Sequence, residues 1–466
     1  MRALRAVPIA VLVALVWCGV ASAYTKTDVT LPMDDGAGLA ATLYLPSAAP
    51  PPGGWPAIVM FHGLGGNRQS MNQIAENTFA NQDYVVLTFD TRGHGQSGGL
   101  FSAVGAREVQ DYRALHGWLA ARDDVRDDRI GAWGISLGGG AVFRSLYEGI
   151  PFAAAEVVET WSDLYLSLLP QNLSKSGAVF AFVNSVPVDR TAPEVNAIRA
   201  DAIASANLTT LRAFATERSS STRLASIRTP VFVFQGRRDF AFGVEQGINS
   251  YRLLGGPKRL YIGAFGHAPS TFPGADAAQV FAEGSDWFAR YLKNVPNGIE
   301  TRPPVELAAD PYRELAGAQF PSLPPTRNAV FTAKGRSRLG ANGAVTRTLT
   351  RRTTSLLETF GAPTLTVSAS GTYPHLVAVL KAITPTGAEI TVSEGGAKTT
   401  LGRAARRVRL RMISQVTTIP RGSRLVLRLG PTSGDLLYIQ SVPTGARITL
   451  GTATLTLPVL QKPVSG

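Results

Sequence analysis

The stretch Asp128-Arg129-Ile130-Gly131-Ala132-Trp133-Gly134-Ile135-Ser136-Leu137-Gly138 decides how the rest of the chain is read. A strand-like run ends at Trp133, Gly-x-Ser-x-Gly spans Gly134 to Gly138, and a helix-compatible segment continues through Tyr147. A strand that turns sharply into a helix needs glycines where side chains would collide. It presents the intervening serine at the sheet edge, with a helix N-terminus behind it that favours developing negative charge. GxSxG alone arises by chance, but strand, turn and helix around it in that order do not. Ser136 is therefore the candidate nucleophile of an α/β fold.

The flanking segments agree with this reading. Pro56 to Phe61, Tyr84 to Phe89, Val231 to Phe234 and Arg259 to Ile262 are short apolar runs suited to strands buried on both faces. Val109, Tyr112, Leu115 and Leu119 recur at helical spacing within Ala106 to Ala121, and a last helix is expected near Ala275 to Leu292. Between Thr160 and Ser226 the strand pattern gives way to Leu-, Ala- and Ser-rich sequence, read as a helical lid. After Lys293 comes the Pro- and Asn-rich NVPNGIETRPP, and from about Ala329 a Thr-, Val-, Leu- and Arg-rich region with Gly/Pro turns reads as an all-β domain. The expected organisation is a leader over 1–23, an α/β domain over 24–300 with its lid at about 160–226, and a β-rich domain over 301–466.

Composition narrows the function. The 466 residues are 45% apolar and 17% charged, which is globular rather than disordered. Cys18 is the sole cysteine, so disulfide frameworks, cysteine-ligated zinc and iron–sulfur sites are excluded. Arg2 and Arg5, the apolar run Ile9 to Val20 and Ala21-Ser22-Ala23 read as an export signal cleaved before Tyr24. That apolar run is shorter than the roughly 20 residues a bilayer span requires, and no later segment suits a membrane span. Export would make the mature protein secreted or extracytoplasmic.

The net charge of +13 sits in the last third: residues 301–466 hold 21 Lys/Arg against 7 Asp/Glu. Arg407, Arg409 and Arg411 alternate with Val408 and Leu410, the pattern of a half-buried strand with a solvated outer face. No aromatics interleave to stack on bases, so no nucleic-acid partner is expected, whereas association with an acidic envelope polymer is compatible with the charge. The run Asp123-Asp124-Val125-Arg126-Asp127-Asp128 is interleaved with arginines that oppose a cation and lacks EF-hand spacing. With no HExxH pattern either, neither metal nor cofactor is expected. Oligomeric state is not legible.

A serine attacks only when a base takes its proton. Of the five histidines, His116 lies mid-helix, His375 lies in the second domain, and His62 and His94 precede Ser136, against the Ser, Asp, His order of this architecture. His267, in the loop Phe265-Gly266-His267-Ala268-Pro269, remains as the base. Asp239 follows the strand at Val231 to Phe234 and lies 28 residues before His267, making it the candidate orienting acid; Glu159 and Asp163 are held in reserve. Backbone N–H groups of Leu137, after the nucleophile, and Leu64, in Phe61-His62-Gly63-Leu64-Gly65-Gly66, are the candidate oxyanion donors. No Lys-Ser/Thr follows the latter loop, which argues against a nucleotide site.

The set HGLGG, Asp90-Thr91-Arg92-Gly93-His94-Gly95-Gln96-Ser97-Gly98, GISLG, Asp239 and His267 resembles the α/β-hydrolase superfamily over roughly Tyr24 to Lys293. Within it the chain resembles the Xaa-Pro dipeptidyl-peptidase and cocaine-esterase group (peptidase family S15). The shared features are the DxRGxGxSGG loop, the passage from Glu108 and Asp111 through Trp118-Leu119 to Arg129-Ile130-Gly131, and the β-rich C-terminal region with Gly361-Ala362-Pro363 and Ile419-Pro420-Arg421-Gly422. The resemblance implies a jelly-roll-like second domain and a serine hydrolase acting on a small-molecule ester or peptide. One departure is visible: many members carry an oxyanion tyrosine where this chain has His62-Gly63-Leu64, the form seen in lipases and esterases. A carboxylesterase is therefore placed ahead of an Xaa-Pro dipeptidyl-peptidase, which would also need a carboxylate for the substrate amine, with Glu156, Glu159, Asp163 and Glu194 as candidates. A catalytically silent, polyanion-associated surface protein is the alternative outside the enzymes.

Overall fold

The computed structural model describes residues 23–314, 317–434 and 437–465. The expected leader, with Cys18, falls in residues 1–22, outside the described residues.

A ten-stranded sheet organises the first part, in the order β1 (Tyr24–Pro32), β2 (Gly38–Pro46), β4 (Val85–Phe89), β3 (Trp55–Phe61), β5 (Val125–Ile135), β6 (Ala154–Val158), β7 (Val231–Gly236), β8 (Lys258–Gly263), β9 (Val305–Leu307), β10 (Ala318–Phe320). The strands from β4 through β9 run parallel, and β1, β2 and β10 add antiparallel edges. The central strands are apolar along their whole length because both faces are covered: every residue of β4, β6 and β7 is buried. On one face lie the helices Ala106–Ala120 and Leu137–Tyr147, which bury Tyr112, Leu115 and Phe143. On the other, the helix Ala277–Leu292 lays Trp287 and Phe288 against Trp133 and Phe232.

The lid is helical, as its composition predicts, with helices Leu164–Leu168, Ser176–Val183, Pro193–Ala204 and Leu208–Glu217. The sheet, however, continues past the boundary expected at residue 300, because β9 and β10 are hydrogen-bonded into it. NVPNGIETRPP is thus a crossover rather than a linker. The buried Arg259 guanidinium donates to the carbonyls of Ile299, Arg302 and Pro303, and Leu260 N donates to Pro304 O at 2.8 Å.

The following chain forms an all-β, jelly-roll-like domain. One antiparallel sheet carries Thr326–Ala333, Ile448–Leu460, Thr364–Gly371 and Arg406–Arg411 in that order; the other carries Val345–Thr350, Arg424–Gly430, His375–Ile383 and Glu389–Lys398. Leu365, Leu380, Leu410, Leu427 and Leu455 belong to its core, while Arg407, Arg409 and Arg411 face solvent as the alternation predicts. Among the described residues, no helix is long and apolar enough to cross a membrane.

Candidate active site

Ser136 sits at the strand-to-helix turn with φ 55° and ψ −116°, a backbone conformation that costs energy in any residue with a side chain. The glycines around it are required by contact. A Cβ on Gly138 would lie 2.1 Å from Phe61 O, and one on Gly134 would lie 2.4 Å from Gly138 O. Ser136 N donates to Val158 O at 2.8 Å, and the Thr160 hydroxyl donates to Ser136 O at 2.8 Å, so the turn is held from both sides.

The three sequence candidates converge. His267 Nε2 lies 2.9 Å from Ser136 Oγ, and His267 Nδ1 lies 2.7 Å from Asp239 Oδ2. Asp239 is fully buried; its Oδ1 accepts from Phe242 N at 2.8 Å, which fixes the carboxylate plane, and Phe242 meets the His267 ring edge-on at 5.1 Å. Burial opposes charging His267, but the Asp239 carboxylate outweighs it, with Glu159 adding to the effect, and pushes the imidazole up to about 9. A ring so raised binds a proton tightly and is free of one only towards higher pH. Of the reserve acids, Asp163 caps a lid helix by accepting from Leu166 N at 2.9 Å, while Glu159 Oε2 stands 3.6 Å from His267 Nδ1.

Leu64 and Leu137 line the same cavity as Ser136. Leu137 is the first residue of its helix, where backbone N–H groups have no partner within the helix. The Leu64 loop is tied down by the two histidines that chain order set aside. Thr91 N donates to His62 Nε2 at 3.0 Å and Gly65 N to His94 Nε2 at 3.3 Å. Burial lowers His62 and takes His94 down to about 4, which keeps both imidazoles neutral and able to accept. The remainder of the DxRGxGxSGG motif is also structural: Asp90 pairs with Arg68 at 2.6 Å, and Arg92 pairs with Asp111 at 2.6 Å. Glu108 accepts from the backbone of Ser102 and Val104.

Residues that single-sequence reasoning missed hold the Asp239 loop from the β-domain. Arg237 Nη2 pairs with Glu358 Oε1 at 2.5 Å, with both side chains buried. Val416 N donates to Arg237 O at 2.8 Å, and Gln415 Nε2 donates to Asp239 O at 2.8 Å. From the lid, the buried Lys175 ammonium donates to Phe240 O at 2.7 Å and Ala241 O at 2.9 Å. Desolvation takes Lys175 down to about 8. No local pattern marks these residues, since their partners lie 65 or more positions away in the chain.

Above Ser136 a cavity with about 1000 Å³ of empty space, including its open mouth, runs beneath the lid. Its lining is apolar, with Trp161, Leu168, Phe182, Ile198 and Leu211 among the walls, and Arg199 is the one charged residue among the described lining residues. Arg199 is occupied in donating to Val183 O, Val186 O and Thr191 Oγ1. None of the four carboxylates weighed for holding an amine lines the cavity. Glu156 is buried within the sheet near Gly284, Glu159 lies behind His267, Asp163 caps a helix and Glu194 is exposed. Glu159, Asp239 and His267 offer ligand atoms within 4.8 Å of one another, the one such grouping among the described residues, and Asp239 and His267 are already bonded to each other there.

Known proteins share sequence and fold with this chain. The model of the family described as X-Pro dipeptidyl-peptidase (S15 family) matches residues 35–269. An Escherichia coli protein, "Uncharacterized 31.7 kDa protein in traX-finO intergenic region", is 26% identical over 269 residues, covering 51% of this chain and 91% of its own length. Among solved structures, a CocE/NonD family hydrolase from Staphylococcus aureus superposes with TM-score 0.71 at 15% identity, covering 94% of each chain. An aminopeptidase from a marine sediment Thaumarchaeota archaeon superposes with TM-score 0.74 at 14% identity, covering 94% of this chain and 97% of its own. At such identities the structural likeness speaks for the shared two-part fold.

Proposed function

This chain belongs to the X-Pro dipeptidyl-peptidase (S15) family and is a serine hydrolase; from that premise we propose that it hydrolyses carboxylic esters with apolar acyl groups. Ser136 Oγ attacks the ester carbonyl while His267 Nε2 takes its proton, and the resulting imidazolium is stabilised by Asp239. The Leu64 and Leu137 N–H groups receive the oxyanion. His267 then protonates the departing alcohol, and a water activated in the same way releases the acid from the acyl-enzyme.

The observation that carries ester over dipeptide is the apolar cavity without a lining carboxylate. A dipeptidyl-peptidase must neutralise a free substrate ammonium in a desolvated pocket, and this lining supplies only Arg199, of the wrong sign. The deciding experiment compares an aryl ester with a Gly-Pro aryl amide, using Ser136→Ala as control. Ester turnover lost in the variant supports the reading; equal or preferred amide cleavage transfers it to the dipeptidyl-peptidase. No reaction with either, and no labelling by a fluorophosphonate, would favour a silent binding protein.

The basic start, apolar run and Ala21-Ser22-Ala23 support export. Arg407 and Arg409 are exposed on an edge strand without an ion-pair partner among the described residues, which supports contact with an acidic envelope polymer. Salt-sensitive retention on a polyanionic resin, lost in Arg407→Ser/Arg409→Ser, tests that contact.

A further inference from the structure

Glu159 is expensive to keep where it is. It follows the last residue of β6 with φ 49°, its side chain is buried, and Oε1 has no hydrogen-bond partner among the described residues. Backbone strain and an unsatisfied buried carboxyl in one residue call for a compensating use. Its other oxygen, Oε2, stands 3.6 Å from His267 Nδ1, the atom that Asp239 Oδ2 already holds at 2.7 Å. The topology explains the convergence: β6 and β7 are adjacent and parallel, so the residues leaving their C-terminal ends reach the same ring.

We propose that Glu159 is a second carboxyl partner of His267, a positioning residue that shares the Nδ1 edge of the ring with Asp239 and takes its place when the Asp239 carboxylate is lost. The proposal rests on the Ser136–His267–Asp239 reading above. The charged groups facing Glu159 are His267 and Asp239, with Asp276 from the segment before the last helix; Lys175 reaches His267 from the lid. Burial, with Asp239 and Asp276, pushes Glu159 up to about 8 against the pull of His267. Neutral, it adds no anion beside Nδ1, so the ring holds its proton less tightly. Ionised, it adds a second anion beside Nδ1 and keeps a proton on the ring that should accept one from Ser136. The two groups therefore titrate as a pair.

The test is a double-mutant cycle on ester hydrolysis with Asp239→Asn, Glu159→Gln and the double variant, read as kcat and as the pH profile of kcat/KM. Where no second acid stands by, Asp→Asn in such a triad costs about 10⁴-fold. Here Asp239→Asn should retain at least about ten times that residual rate, and adding Glu159→Gln should remove the surplus. Glu159→Gln alone should move the acidic limb of kcat/KM to lower pH, which loss of packing would not do. Asp239→Asn and the double variant falling to the same rate, with the limb unmoved in Glu159→Gln, would overturn the proposal. Thermal melting and circular dichroism establish that each variant is folded; should the double variant not fold, the Glu159→Gln profile decides. Ser136→Ala separates the levels. Activity surviving that substitution refutes the triad reading itself, whereas activity abolished by it, with no surplus in Asp239→Asn, refutes the role of Glu159 alone.

Discussion

Removing the Glu358 carboxylate should damage both stability and catalysis, though it lies 119 residues beyond Asp239 in the chain. Arg237 and Glu358 are 3% and 0% exposed and 2.5 Å apart, so Glu358→Ala strands a guanidinium away from water. It also leaves Val464 N, Ser465 N and the Ser465 hydroxyl without their acceptor. Breaking a buried pair by deleting one partner costs about 3–5 kcal/mol, whereas replacing both with apolar groups is often neutral. Glu358→Ala is therefore expected to lower the urea midpoint strongly, and Arg237→Met/Glu358→Leu to recover most of it. Arg237 stands two residues before Asp239 and anchors its loop, so kcat/KM should fall as well; a displacement of about 1 Å at such a site costs about 10²-fold. Acid adds a second readout. Burial would raise Glu358, but Arg237 and Ser465 outweigh it and hold the carboxyl below its usual range. The wild-type protein thus keeps this contribution above the unfolded carboxyl value, about 4.3, and loses it as the pH falls through the lower folded value; Glu358→Ala has nothing there to lose. A Glu358→Ala midpoint equivalent to within about 1 kcal/mol of wild type, in the range of exposed ion pairs, would refute the buried-pair argument. Lost stability with kcat/KM intact would refute the claim that the β-domain positions Asp239.

Ser136→Ala should abolish fluorophosphonate labelling and lower kcat by about 10⁶-fold, as removal of a triad nucleophile does elsewhere, with the melting temperature preserved. Because His267 is raised to about 9 and must be unprotonated to act as a base, kcat/KM should climb as the pH approaches that value, checked by a pH–rate profile on the short-chain ester. Its imidazolium should stabilise the fold fully below the unfolded value of about 6.5 and lose that contribution as the pH rises through the folded one. Ala202 lines the lid portion of the cavity, so Ala202→Phe should leave an acetyl ester untouched and penalise longer acyl chains. Each excluded methylene is worth about 0.8 kcal/mol, close to fourfold in kcat/KM across an ester series.

Local sequence determined much of this protein because the chemistry of an elbow is local. Gly134, Ser136 and Gly138 must occupy those positions for a strand to turn directly into a helix, and the apolar runs at 56–61 and 231–234 must be strands buried on both faces. The order of Ser136, Asp239 and His267 follows from that architecture, and the structure brings all three within hydrogen-bond reach. Other features rest on contacts between segments remote in sequence, where no periodicity or spacing carries a signal. The crossover through NVPNGIETRPP looks like a linker until Arg259 gathers its carbonyls. The β-domain's hold on Asp239 exists only once Gln415 and Glu358 fold against the loop. Likewise, Glu159 is an ordinary acid at the end of a strand until tertiary packing buries it beside the imidazole of His267, where desolvation and neighbouring carboxylates change its charge. Sequence singled out the candidate triad because bond geometry and hydrophobic periodicity act over a few residues. Only the tertiary structure decided what surrounds them, because burial and electrostatics depend on distance in space and not along the chain.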